Sequence, residues 1–218
     1  MQIRQKIFKK LNIFGKSFDG FEKKQYLCTH YYIIKVNKHF RLMQRVFLIG
    51  YMGAGKTTLG KALAAAMNLQ FLDLDDFIVA RQHKTVKEIF AEVGEEGFRN
   101  IEQKALLEVS EYENVVISLG GGTPCFFDNM DIVNRSGKSV YLKPSEEVLL
   151  ARLIKGKHKR PLLADKNDDE ILQVIREQLA WREPYYLRAQ ITFNASHLEN
   201  KADIHLNAEK LAAQLVAE

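Results

Sequence analysis

Gly50-Tyr51-Met52-Gly53-Ala54-Gly55-Lys56-Thr57 reads G-x-x-x-x-G-K-T, with Thr58 after it. An apolar, partly β-branched run, Val46 to Ile49, precedes it, and an Ala- and Leu-rich run follows to Met67. Strand, glycine loop and helix is the context that lifts this pattern above a chance string. The glycines let successive backbone N–H groups turn inward, and the helix adds its positive end, so the stretch predicts a cradle for phosphates. Gly53, Ala54, Gly55, Lys56, Thr57 and Thr58 are the candidate nucleotide-binding residues. Lys56 reaches towards the β- and γ-phosphates and the Thr57 hydroxyl towards Mg²⁺. A turn that merely starts a helix needs no adjacent lysine and hydroxyl.

Two carboxylates, Asp73 and Asp75, stand two apart at the end of a short second strand that begins at Phe71 and Leu72. Positions two apart in a strand share a face, and ligands of parallel sheets bind beyond the carboxyl ends of the strands. One carboxylate near Mg²⁺ and one near a hydroxyl acceptor is what ATP-dependent phosphoryl transfer needs. Asp76 reads instead as a helix-capping acid. Gly120-Gly121-Gly122 follows the buried run Val115-Val116-Ile117. Three consecutive glycines are entropically costly, which points to a tight backbone requirement beside a small polar ligand. Arg99, Arg160 and Arg182 are scattered along the chain, and a planar guanidinium can grip a carboxylate with two parallel hydrogen bonds. Lys157, Lys159 and Arg160 lie in a polar stretch, 155–168, that reads as a mobile loop able to close over the transferring group.

The elements that must position these residues alternate. Strands are expected at 45–49, from Phe71, at 115–117, 139–142 and 191–193. Helices are expected at 56–67, from about Asp75, from Thr85, around Phe98 to Ser110, from Ser145 to Leu153, over 170–187 and within 202–216. Thr85 with Glu88 forms a capping box, and Ser145 is an N-cap. The alternation predicts an α/β fold with a parallel sheet covered on both faces.

Charge separates the chain into two parts. Residues 1–42 hold ten Lys and Arg against Asp19 and Glu22, whereas residues 43–218 hold 22 basic and 25 acidic residues. The part with the phosphate loop is mildly acidic, which argues against nucleic acid as a partner. Residues 1–42 are a basic, aromatic extension, and Met43, two residues before the first strand, is an alternative start. Cys28 and Cys125 lack metal-ligand spacing, as expected of reduced cytoplasmic thiols. No run of 18 apolar residues suggests a membrane span.

GYMGAGKTT, Phe71 to Asp75, Phe98-Arg99-x-x-Glu102, the glycines 120–122, RPLL at 160–163 and Arg182 before a Pro-Tyr pair together closely resemble the shikimate kinase family, from about Met43 to the C-terminus. The resemblance implies a P-loop, nucleoside-monophosphate-kinase-like fold with a five-stranded parallel sheet, a LID at about 155–168, and a monomer. It implies transfer of the γ-phosphoryl group of ATP to the 3-hydroxyl of shikimate, with Mg²⁺. By the same resemblance Asp75 holds the acceptor hydroxyl and serves as base, and Asp73 lies near Mg²⁺. Arg99 and Arg182 clamp the shikimate carboxylate, Gly120, Gly121 and Gly122 line the pocket, and Arg160 is the lid arginine. Arg152 and the turn at Asn194-Ala195-Ser196 flank the nucleotide base. The rival readings are another small-molecule kinase, such as a gluconate or nucleoside-monophosphate kinase, and a non-catalytic nucleotide-binding regulator.

Overall fold

The computed structural model describes residues 44–157 and 165–217. The N-terminal extension, Met43, Arg160 and the central part of the expected LID lie outside the described residues.

Five strands, β1 (Arg45–Ile49), β2 (Gln70–Asp73), β3 (Val115–Ser118), β4 (Lys138–Leu142) and β5 (Ile191–Phe193), form one sheet in the order β2-β3-β1-β4-β5. Every neighbouring pair is parallel. The central strands are buried on both faces, which is why they read as continuous apolar runs rather than alternating ones. Seven α-helices join the strands: α1 (Lys56–Met67), α2 (Leu74–Gln82), α3 (Val86–Val109), α4 (Asn129–Ser136), α5 (Glu146–Lys155), α6 (Asp168–Tyr186) and α7 (Lys201–Ala217). Helix α1 packs on β1, β2 and β3 and against α7, while α4 packs on β4 and α5 against α6.

Local chemistry sets the helix ends. Thr85 and Glu88 close the expected capping box, with Glu88 N donating to Thr85 Oγ1 at 3.2 Å and Thr85 N to Glu88 Oε2 at 2.7 Å. Asn167 and Glu170 make a second box at the start of α6. Ser145 accepts from Val148 N at 3.4 Å.

Two expectations need correction. Asp73, not Asp76, caps α2: its carboxylate accepts from Asp75 N at 3.1 Å, because the N-cap acid is the one whose side chain reaches back over the first turn. Asp75 therefore sits in the first turn of a helix and shares no strand face with Asp73. Between Thr85 and Ser110 the chain forms two helical stretches, as expected, counted together as α3 and separated by a kink at Gly94, whose φ of 70° and ψ of −175° no side-chain-bearing residue adopts readily.

Candidate active site

The phosphate loop lies between β1 and α1. Gly55 heads α1 with φ 99°, and a Cβ there would come within 2.6 Å of Leu198 Cδ1, so backbone and space both demand glycine. No side chain caps the first turn of α1. Its leading N–H groups are thus available to an anion. Lys56 folds back over the loop and donates to the carbonyls of Gly50 at 2.7 Å and Tyr51 at 3.1 Å. Burial pushes its ammonium down to about 8, against the pull of Asp75 and Asp73 and with the push of Arg182. Those two carbonyls hold the charge until phosphates compete for it.

Thr57 Oγ1 donates to Asp73 Oδ2 at 3.1 Å. Among the described residues no group of three or more His, Cys, Asp or Glu could hold a metal. Mg²⁺ needs no such cage: it takes one or two protein oxygens and completes its octahedron with water and substrate phosphates. A hydroxyl and a carboxylate side by side at the phosphate loop fit that demand.

The acceptor side is assembled around Gly120, Gly121 and Gly122. None of the three has a positive φ. The backbone requirement expected of them is instead a requirement for room, legible from what an added Cβ would meet. At Gly120 it would lie 2.9 Å from Thr123 Oγ1, 3.0 Å from Glu102 Oε1 and 3.1 Å from Asp75 Oδ1. At Gly121 it would lie 3.4 Å from an Arg182 nitrogen, and at Gly122 2.8 Å from both terminal nitrogens of Arg99. The loop thus brings Asp75, Arg99 and Arg182 to one place, from α2, α3 and α6.

Asp75 is half-buried. Burial, followed by the nearby Asp73 and Glu102 carboxylates, pushes its carboxyl up to about 6, against the pull of Lys56. A carboxylate of that basicity remains ionised at neutral pH and is better matched to taking a proton than an ordinary aspartate.

The two arginines are held differently. Arg99 pairs with Glu102 at 2.9 Å and Glu95 at 3.1 Å, and its guanidinium carbon lies 4.1 Å from the centroid of the Phe126 ring. Glu102 is only 1% exposed and also accepts from Thr123 Oγ1 at 2.5 Å, so its charge is fully engaged. No carboxylate of the described residues forms an ion pair with Arg182. Its guanidinium lies over the rings of Tyr51, at 5.6 Å, and Trp181, at 5.8 Å. The Nε atoms of both arginines are buried without a hydrogen-bond partner. Buried donors of this kind are costly unless a ligand satisfies them.

Arg152 stands at the far side of the phosphate loop. It donates to the carbonyls of Ala195 at 3.0 Å and Ser196 at 3.2 Å, with longer contacts to Gly53 and Ala54. Ser196 Oγ accepts from Ser145 N at 3.0 Å. Arg152 and the 194–196 turn are therefore joined beside the loop, while Thr58 lies exposed on α1.

Sequence reasoning did not single out Glu102, Thr123, Phe126, Tyr51 or Tyr186 as site residues. The i, i+3 spacing of Arg99 and Glu102 on one helix was a usable signal for the first. Tyr186, one turn beyond Arg182 on α6, donates to Gly121 O at 2.5 Å, and the same helical spacing marked it. Tyr51 and Phe126 carried none, because each meets its arginine only through the tertiary fold.

The family model described as Shikimate kinase matches residues 52–217. A shikimate kinase of Phocaeicola vulgatus is 53% identical over 173 residues, 79% of this chain and 99% of that protein. The crystal structure of shikimate kinase from Bacteroides thetaiotaomicron superposes with a TM-score of 0.77 at 52% identity, covering 80% of this chain and 99% of that one. Shikimate kinase from Acinetobacter baumannii, solved in complex with shikimate, gives 0.71 at 32% identity over 83% of this chain and 97% of that one. With its phosphate loop and paired arginines on that same five-stranded frame, this chain belongs to the shikimate kinase family.

Proposed function

We propose that the protein transfers the γ-phosphoryl group of ATP to the 3-hydroxyl of shikimate, giving shikimate 3-phosphate and ADP. One observation carries the reading of a carboxylated acceptor, with the family membership favouring shikimate among such acids: Arg182, free of any carboxylate among the described residues, faces the glycine loop with an unsatisfied buried Nε. A carboxylated acceptor supplies the missing charge and acceptor atoms, and an uncharged sugar does not.

Arg99 and Arg182 grip the acid group and fix the ring against Gly120, Gly121 and Gly122. Asp75 accepts the hydrogen bond of the attacking hydroxyl and takes its proton as the new P–O bond forms. The bond between the γ-phosphorus and the β,γ-bridging oxygen breaks, and ADP leaves with that oxygen. Lys56 leaves the Gly50 and Tyr51 carbonyls for the β- and γ-phosphates, and the first N–H groups of α1 bind phosphate oxygens. Thr57 and Asp73 would hold Mg²⁺, which would supply positive charge to offset that of the phosphates. Arg152 and Ser196 border the nucleotide base. Arg160, from a LID at 155–168, adds positive charge at the transferring group and helps exclude water. The catalytic unit spans residues 43–218 and acts as a cytoplasmic monomer, an assignment that follows the family resemblance. Among the described residues no helix is long and apolar enough to cross a membrane.

ADP release from MgATP by the full chain, with shikimate, gluconate or AMP as acceptor, tests this reading. Strong stimulation by shikimate alone is expected. Equal stimulation by gluconate, or none by shikimate, overturns it.

A further inference from the structure

The phosphate loop and the acceptor site meet at one side chain. Tyr51, the second residue of the phosphate loop, is 1% exposed. Its hydroxyl donates to Gln178 Oε1 on α6 at 3.0 Å. One turn further along α6, the guanidinium of Arg182 lies 5.6 Å from the centroid of the Tyr51 ring. The backbone on either side of Tyr51 reaches the same junction. A Cβ on Gly121 would stand 3.4 Å from an Arg182 nitrogen and 3.7 Å from both Gly50 O and Met52 N.

Arg99 and Arg182 differ in what fixes them. Two carboxylates hold Arg99. Arg182 is half-buried, with no carboxylate of the described residues paired to it, and aromatic faces take the place of counter-charges. A cation over an aromatic face is attracted to its negative quadrupole without being neutralised. That distinction matters for a ligand-binding arginine: a carboxylate partner would compete with the acceptor, whereas a ring orients the guanidinium and leaves its charge available.

We propose that Tyr51 is a positioning residue for the acceptor: its ring holds Arg182 in the carboxylate-binding pose, so that the phosphate loop itself supplies part of the acceptor site. This rests on the reading of Arg182 as a carboxylate clamp. It leads to an outcome unusual for a phosphate-loop substitution, in that the acceptor and not the nucleotide feels the change.

The test uses the full chain with Tyr51→Leu and Tyr51→Phe, measuring KM for shikimate, KM for ATP and kcat, with thermal unfolding of each variant. Tyr51→Leu is expected to raise the shikimate KM about tenfold, the scale of a partly desolvated cation–ring contact. Its ATP KM and kcat stay within about twofold. Tyr51→Phe keeps the ring, loses only the Gln178 contact, and returns the shikimate KM to within about twofold of the parent. A Tyr51→Leu variant whose ATP KM rises instead, or whose melting temperature falls with an unchanged shikimate KM, overturns the positioning role. So does a Tyr51→Phe variant as impaired as Tyr51→Leu. A parent enzyme that neither binds nor phosphorylates shikimate overturns the functional reading first, and the positioning role with it.

Discussion

Asp75→Asn is expected to make the ligand-free protein more stable at neutral pH while disabling it. In the folded site the carboxyl is pushed from 3.8 to about 6, by burial first and then by Asp73 and Glu102. A folded value raised above the unfolded one means that the ionised form is disfavoured in the native state. The group's contribution to stability is full below about pH 4 and is lost as the pH rises through about 6. The interval corresponds to a ceiling of about 3 kcal/mol at pH 7. The neutral, nearly isosteric amide escapes that cost but deprives the half-buried Lys56 of its largest electrostatic support. The net gain is therefore smaller, about 1–2 kcal/mol at pH 7.5, or roughly 2–8 °C in melting temperature for a chain of this size. Urea unfolding of parent and variant at pH 4.5 and pH 7.5, without ligands, reads the difference. The gain at pH 7.5 should largely vanish at pH 4.5, where the parent carboxyl is protonated. In parallel, kcat for shikimate-dependent ADP release should fall about 10²–10⁴-fold, the usual share of a positioned general base. A variant less stable than the parent at pH 7.5, or a gain unchanged at pH 4.5, would refute the electrostatic account of the site.

The same two groups set a pH window. With Asp75 at about 6 and Lys56 at about 8 in the free enzyme, the rate with both ATP and shikimate well below their KM values should fall on the alkaline side of about pH 8 and on the acid side of about pH 6. An acid limb at pH 4 would remove Asp75 as its source. Gly122→Ala places a Cβ 2.8 Å from the terminal nitrogens of an Arg99 that Glu95 and Glu102 hold fast. Its shikimate KM should rise at least about tenfold with the ATP KM little changed, because a carboxylate clamp loses a bidentate partner. Gly94→Ala meets open space but imposes a side chain on φ 70°, ψ −175°, and should cost about 1–3 kcal/mol in chemical unfolding. Unchanged stability would mean that the kink is dispensable.

Legibility followed the range of the interaction. The phosphate loop, Thr85 with Glu88, and Ser145 could be read directly because each is closed by neighbours within a few residues. The buried strands could be read because a parallel sheet covered on both faces requires uninterrupted apolar runs. Helix α4 went unread: its eight residues hold too short a stripe, and Asp128 before it makes no side-chain cap. Two helices were legible between Thr85 and Ser110, but not that the kink between them falls at Gly94. The triple glycine was legible as a place where side chains are kept out, but not what they would meet there. Its backbone is ordinary, and only the approach of Asp75, Arg99 and Arg182 in three dimensions shows why side chains are excluded.

Asp73, Asp75 and Glu102 face Lys56, Arg99 and Arg182, so the site is balanced in number but not in pairing. Glu102 is committed to Arg99 and Thr123, and Asp73 to Thr57 and the end of α2. Asp75, Lys56 and Arg182 remain incompletely compensated, and these are three groups to which the proposed reaction gives its chemistry. A substrate carboxylate on Arg182 removes a positive neighbour that depresses Lys56, and phosphates on Lys56 replace the carbonyls it holds in the meantime. Each ligand thus relieves a different part of one electrostatic misfit. Because Lys56 and Arg182 lower each other's comfort across the junction at Tyr51 and Gly121, filling either side makes the other easier to fill. Coupling of the two substrates then needs no large rearrangement of the sheet, only the neutralisation of charges that the fold places together and leaves unpaired.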